Sequence, residues 1–512
     1  MQKKEPQKEL SWWEKYRELI FFKVLFLLSS LRFIIFGFNY FPQLQDYRNY
    51  YNGFLNKLAT ARSLHDILNY SVWSHFWNTL IIPALIMSAL LTASAWFLYK
   101  VCNRRFGSGT ILAAIIVLSS ATLEGTYWLT ASTHIVPGLF FASLAIYFFD
   151  KFTYSDKKIN IILSGITGLV CISFYEPAFV FAAVFIIILS VIDRKKFIWS
   201  SLFLVVNELI YLLLIKSNEG QIFVYPTTGK YFTYYLPIAF RQIRNALIIA
   251  PFRILTTGFW RGIQIAYESG VYWYLISSLL LIAAAVFLSK GERKKSNRGI
   301  LIGILLLIAP LASFLFLQNT WISLSTTVIC LPGAALMFDS LLSRFRKGYL
   351  VVLAAIITVF MVSSISEIHD YKLNYQTDRR IVIGIASALR GIRLDLAKSI
   401  VVLGLEPSHL GTQNYLYHEH IQGVTNNGTT LRDAFIVTTK SNLRQTLTPL
   451  PMGVSVNPES VMNADLYLDY SEGNTVVLIA QKRDNEVILY DENRRIGTIY
   501  INSEGLSVFI RD

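Results

Sequence analysis

The chain has 512 residues, of which 54% are hydrophobic and only 16% charged, and it carries a formal net charge of +14. Soluble proteins average about 45–50% apolar and about 25% charged residues, so the composition argues against water as the main solvent. The basic residues fall in short clusters between apolar stretches, a topology signal, which argues against a nucleic-acid-binding protein.

In chain order, eleven apolar stretches read as helices that cross a hydrocarbon core of ~30 Å. They are 20–38, 77–99, 109–122, 135–150, 159–174, 178–193, 198–215, 271–289, 299–317, 322–340 and 349–366. The first is followed by Asn39-Tyr40-Phe41-Pro42 with no small-residue cleavage site, so it is expected to stay in the protein rather than act as a signal peptide. Basic clusters at Lys3–Arg17, Lys100–Arg105, Lys151–Lys158, Arg194–Lys196, Lys290–Arg298 and Arg344–Lys347 all fall on one side of that count. Because basic loops stay in the cytoplasm, the N-terminus is expected inside and the region beyond about 367 outside. The expected organisation is a membrane domain over 1–366, with outer loops 39–76 and 216–270, and an extracytoplasmic domain over 367–512.

Candidate functional residues lie on the expected outer face. Asp46 and Arg48 follow the first span, among Tyr47, Tyr50 and Tyr51. The turn Leu123–His134 holds Glu124, Tyr127, Trp128 and His134, and a tight turn at Ser173–Pro177 holds Tyr175 and Glu176. The segment 216–270 is too polar to span and too apolar for a simple loop; Arg241, Arg244, Arg253 and Arg261 punctuate its apolar runs, and Lys230 precedes them. Arg241 and Arg244 share a helix face, as expected of a segment lying along the interface with guanidinium groups at phosphate depth. The same arginines also suit snorkelling to lipid headgroups, and Asp46 equally suits capping a helix end. No His or Cys pair has the spacing of a metal site.

Beyond the last span, 367–395 reads as an amphipathic helix and Ser399–Gly404 as a buried strand. The β-branched runs at 475–480, 486–490, 496–501 and 506–510 read as an antiparallel meander. The expected fold class is therefore an α-helical polytopic membrane protein of about 11 spans with a small C-terminal α+β domain.

Gln45-Asp46-Tyr47-Arg48 in the first outer loop, the long loop after the seventh span, and the pieces Tyr127-Trp128-Leu-Thr-Ala-Ser and Ser173-Phe-Tyr-Glu176-Pro carry a resemblance. Together they resemble the GT-C class of integral membrane glycosyltransferases and are similar to bacterial GtrII-like glucosyltransferases. The resemblance covers about 20–366 and departs at one point: several such enzymes show an acidic pair where this chain has a single Asp46. It implies transfer of a sugar from a polyprenyl-phosphate carrier to a cell-envelope glycan at the outer face of a bacterial cytoplasmic membrane. A small flippase and a polyprenyl-phosphate sugar synthase would be further partners, and a divalent metal stays open. Such chemistry needs a base for the acceptor hydroxyl and cations for the leaving phosphate. Asp46 suits the first role. Arg241, Arg244, Arg253, Arg261 and Lys230 suit the second, with Arg48, Glu124, Tyr127, Trp128, His134, Tyr175 and Glu176 in support. A transporter or flippase, which would place ionisable residues inside helices, and a non-catalytic assembly scaffold are the competing readings.

Overall fold

The computed structural model describes residues 12–43, 46–47, 64, 67–68, 73, 79–193, 196–217, 236–289, 297–315, 322–344, 348–392, 398–405, 423–426, 428–441, 443–451, 456–471, 474–483, 485–502 and 505–512. The chain is mostly helical and divides into two compact units: Met1–Tyr40 with Leu58–Ile368, and Phe41–Lys57 with His369–Asp512. The second unit thus takes up a segment of the first expected outer loop.

The first unit contains α1 (Trp12–Phe33), α2 (Ile81–Phe106), α3 (Thr110–Leu118), α4 (Leu129–Ser155), α5 (Lys158–Phe174), α6 (Glu176–Ile192) and α7 (Phe197–Ser217). These are followed by α8 (Leu236–Arg244), α9 (Ala250–Glu268), α10 (Tyr272–Leu288), α11 (Asn297–Ile308) and α12 (Leu331–Leu342). The last helix, α13 (Tyr349–Ala388), begins in the first unit and continues into the second. Among the described residues three helices, α2, α4 and α13, are long and apolar enough to cross a membrane by length and composition.

Several expected spans take a different form. All nine residues of α3 are buried, as expected of a helix apolar on every side, but nine residues rise only ~14 Å. At Ser119 the chain leaves the helix (φ −54°, ψ 119°) and continues as a 3-10 turn, Ser120–Thr122, and a single helical turn, Leu123–Thr126. The stretch 299–317 likewise breaks into a 3-10 turn around Pro310, because proline cannot donate the helical hydrogen bond. The segment 236–268, expected along an interface, is helical throughout, with a wide π turn at Asn245–Ile249 between α8 and α9. At 40 residues α13 would be ~60 Å long, twice a hydrocarbon core. Its apolar part is 349–366, and the stretch read as a separate amphipathic helix is its continuation.

Buried ion pairs and small residues join these helices. Arg104 and Arg105 of α2 both pair with buried Asp150 of α4, the latter at 2.6 Å. Asp339 of α12 accepts the Gly109 N–H at the start of α3 and the Tyr349 hydroxyl at 2.7 Å, which places a carboxylate where the helix dipole favours one. Arg17 caps the end of α10, donating to the carbonyls of Phe287, Leu288 and Ser289 at 2.6–2.9 Å. Gly299 and Gly303 of α11 meet α12 so closely that a Cβ on Gly303 would lie 2.7 Å from the Met337 nitrogen, a small-xxx-small contact.

The second unit holds one seven-stranded sheet in the order β2-β1-β3-β4-β5-β6-β7. The strands are β1 (Ser399–Leu403), β2 (Thr446–Leu450), β3 (Leu466–Ser471), β4 (Asn474–Arg483), β5 (Glu486–Asp491), β6 (Arg494–Ile501) and β7 (Ser507–Arg511). β1 pairs in parallel with β2 and β3, and β3 to β7 pair antiparallel. The parallel pairs require crossovers, which contain α14 (Gly428–Thr439) and α15 (Pro458–Met462). Val401, Leu403, Tyr467, Leu478, Leu489, Ile499 and Phe509 form the core on one face of the sheet.

Candidate functional site

In the second unit, Asp46 is helical together with Tyr47 and is 1% exposed. Its Oδ2 accepts the Gln43 N–H at 3.0 Å, while its own N–H donates to the Gln43 carbonyl at 2.7 Å. Asp46 thus bonds through both its side chain and its backbone to the residue three positions before it. The Gln43 amide donates to the Phe41 and Tyr371 carbonyls at 3.1 and 3.0 Å, and the Asn374 amide donates to Gln43 Oε1 at 2.5 Å. This tethers Gln43 to the continuation of α13.

A second carboxylate stands in the same cluster. Asp378 is buried one helical turn past Asn374; its Oδ1 accepts the Val424 N–H at 3.0 Å, and its Oδ2 lies 3.5 Å from the Tyr47 hydroxyl. Burial pushes the Asp378 carboxyl up to about 8, against the opposing pull of the Val424 N–H and the Tyr47 hydroxyl. Burial, followed by the charges of Asp378 and Asp46, holds the Tyr47 phenol well above its ordinary value. A carboxyl raised this far favours the protonated form of Asp378 at pH 7. The sequence analysis passed over Asp378 because its helix reads as an ordinary amphipathic one. An aspartate at helical spacing with Ile381, Val382 and Ile385 was the available signal.

In the first unit, the turn after α3 meets other polar residues at one end of the helices. Glu124 is fully buried and accepts the Ser325 N–H at Oε1, 3.3 Å away. Tyr127 and Trp128 are also buried, Tyr127 against the rings of Phe33 and Tyr40. The His134 ring packs on Tyr175 at 5.3 Å between centroids, and Glu176 is half-buried at the start of α6. Arg261 on α9 donates to Ser366 Oγ at 3.3 Å, and Gly258, one turn earlier, lies against Ser363 and Glu367. Arg241, Arg244 and Arg253 lie on the exposed side of α8 and α9. Arg48 and Lys230 fall outside the described residues. The structure thus gathers Glu124, Tyr127 and Trp128 in one turn and sets Arg261 among polar residues of α13.

The same end of the unit contains a residue that the sequence analysis missed. Arg32, near the end of α1, is fully buried. Its Nη1 donates to the Ser119 carbonyl at 3.1 Å, and Tyr274 of α10 lies within its electrostatic reach. Beside it, Ser120 and Ser363 share a hydrogen bond at 2.6 Å. The signal was present in Leu31-Arg32-Phe33: an ionisable residue inside an apolar span is a functional candidate by default.

Between α5 and α7 lies an apolar groove of about 330 Å³, lined by Ile162, Ile166, Leu169, Trp199 and Phe203. Its one amide, Asn207, donates to the Phe203 carbonyl. Among the described residues no group of three His, Cys, Asp or Glu side chains is placed to hold a metal ion. Neither a family model nor a curated protein sequence matches this chain.

Proposed function

We propose that this chain is an integral membrane glycosyltransferase of the GT-C type, moving a sugar from a polyprenyl-phosphate carrier to a cell-envelope glycan at the outer face of a bacterial cytoplasmic membrane. The observation that carries the transferase reading is the Asp46 cluster. One carboxylate there, Asp46, accepts a backbone hydrogen bond, and the carboxyl of its neighbour Asp378 is raised by burial, so the cluster sets two acidic groups in different environments. Asp46 would take the acceptor proton as the anomeric carbon is attacked. Because Asp46 is 1% exposed, the 41–47 segment must open for the acceptor to reach it. The membrane setting is supported by the large apolar side chains exposed along α7, α9 and α10, among them Ile198, Leu209, Phe252, Trp260, Leu280 and Phe287. Soluble proteins rarely leave such surface to water.

The test is the envelope-glycan composition, by mass spectrometry, of cells lacking the protein and complemented with wild type or Asp46→Asn at matched membrane levels. Loss of one sugar that wild type restores and the variant does not is the expected result. Full restoration by Asp46→Asn removes the base assignment.

A lipid-phosphate flippase is the second reading, and Arg32 favours it, since a buried cation within a helix marks ion and substrate paths. In that case the carrier-linked sugar accumulates on the inner leaflet of knockout cells, and Asp46→Asn restores the glycan.

A further inference from the structure

Arginine keeps its charge in proteins and presents five N–H donors. Arg32 uses one on the Ser119 carbonyl. Its Nε and Nη2 are buried and find no hydrogen-bond partner among the described residues, and no carboxylate there pairs with it. The Phe33 ring, 5.0 Å from the guanidinium carbon, supplies only a weak cation–π contact. A buried cation left this way is costly, and each such group calls for an explanation, an absent ion among them.

The two open donors are not scattered. Nε and Nη2 form one edge of the guanidinium plane, the edge that meets two oxygens of a phosphate side by side. Ser29, one turn earlier on the same face of α1, also has a buried hydroxyl without a partner among the described residues. The Ser120 hydroxyl, one residue past Ser119, is engaged with that of Ser363. The surroundings therefore offer donors and a positive charge, and among the described residues no carboxylate pairs with Arg32.

We infer that Arg32 is an anion receptor, its Nε–Nη2 edge taking two oxygens of a phosphate, where α1 meets the end of α3 and α10. Both donors are shut off from water, so neighbouring side chains must give way to admit the anion. The inference rests on the lipid-phosphate substrate of the proposed function and not on Asp46. The phosphate would be the head group of the carrier lipid, with free phosphate as the other source of the same chemistry.

The experiment uses the full chain in nanodiscs of zwitterionic lipid, with binding read by native mass spectrometry. The probes are undecaprenyl phosphate, undecaprenol and inorganic phosphate; the chains are wild type, Arg32→Gln, Arg32→Lys and the exposed-surface variant Arg390→Gln. Wild type and Arg390→Gln should bind undecaprenyl phosphate about 10- to 100-fold more tightly than undecaprenol. Arg32→Gln should lose that preference, and Arg32→Lys, which keeps the charge but not the paired edge, should fall between. Saturable inorganic phosphate binding that Arg32→Gln abolishes, with no preference between the two lipids, also supports the receptor and identifies free phosphate as its source. Wild type that distinguishes neither lipid and binds no phosphate overturns the inference, even if Arg32→Gln does not fold. So does a preference that survives in Arg32→Gln. Binding that depends on Arg32 in a chain that transfers no sugar defeats the transferase reading alone.

Discussion

Asparagine in place of Asp46 preserves the shape of the side chain and an oxygen able to accept the Gln43 N–H, while removing the group that can take a proton. The variant should therefore keep its thermal midpoint, with stability changed by no more than about 1 kcal/mol, and lose sugar transfer. A midpoint that falls together with activity would make the carboxylate a capping group only. Asp378→Asn tests the neighbouring acid differently. With its carboxyl raised to about 8 in the folded chain, Asp378 retains a proton that the unfolded chain gives up near pH 4. Between those values the folded state binds more protons, so the wild type should lose stability relative to Asp378→Asn as pH rises. The slope is about 1.4 kcal/mol per pH unit, flattening above pH 8. Parallel stability curves for the two chains from pH 5 to 8 would show that Asp378 titrates normally. Asp46 was legible in the sequence because an acid after an apolar span is conspicuous. Asp378 and Arg32 each left a signal that was passed over, because each sits in a segment whose periodicity already explained it, and burial is a property of the packed chain.

The apolar period located α5, α6, α7 and α10 to within two residues at each end, while the spans read for α1, α2, α4 and α12 are off by five to nine residues at one end or both; the β-branched runs located β4 to β7. Elements whose burial depends on partners distant in sequence were missed. β2 reads Thr446-Leu-Thr-Pro-Leu450, with a proline that argues against a strand, yet it lies at the sheet edge beside β1, where a missing N–H is tolerated. The breaks at Ser119 and Pro310 were also hidden inside continuous apolar runs. Close helix contacts give the element-scale prediction. A methyl group at Gly303 would meet the Met337 nitrogen at 2.7 Å and the Gly333 carbonyl oxygen at 2.8 Å, both backbone atoms unable to yield. Gly303→Ala should force α11 from α12 and cost about 1–3 kcal/mol. Gly165→Ala on α5, with nothing within 4 Å of the new methyl, should be neutral or stabilise by up to about 1 kcal/mol through helix propensity. Thermal unfolding in detergent separates the two, and equal midpoints would mean that α11 and α12 pack more loosely than these contacts indicate.

For the molecule as a whole, orientation decides whether chemistry at Asp46 and Arg32 meets cytoplasmic or external substrates. The basic clusters fall on one side of the expected spans, and the folded chain already employs several in helix pairing: Arg104 and Arg105 on Asp150, Arg17 on the end of α10, and Lys196 on Asp156. Part of that charge is thus structural, yet a positive loop still resists translocation, so the topology argument survives the pairing. The structure also assigns Phe41–Lys57 to the unit that contains the sheet, so Asp46 and β1–β7 are expected on the same side of the membrane. In a chain whose three cysteines are replaced by serine, single cysteines at exposed Lys157 and Asn474 should then react differently with a membrane-impermeant thiol reagent. Asn474→Cys should label in intact cells once any outer envelope layer is made permeable, and Lys157→Cys only after the cytoplasmic membrane is opened. The reverse pattern would place Asp46 and the sheet in the cytoplasm, where a sugar nucleotide is the available donor, and would exclude an outer-face transferase however well Asp46 performed as a base. Labelling of both sites in intact cells would show that Lys157 and Asn474 face the same side, and the number of crossings from α5 through α13, counted inclusively, would have to be even.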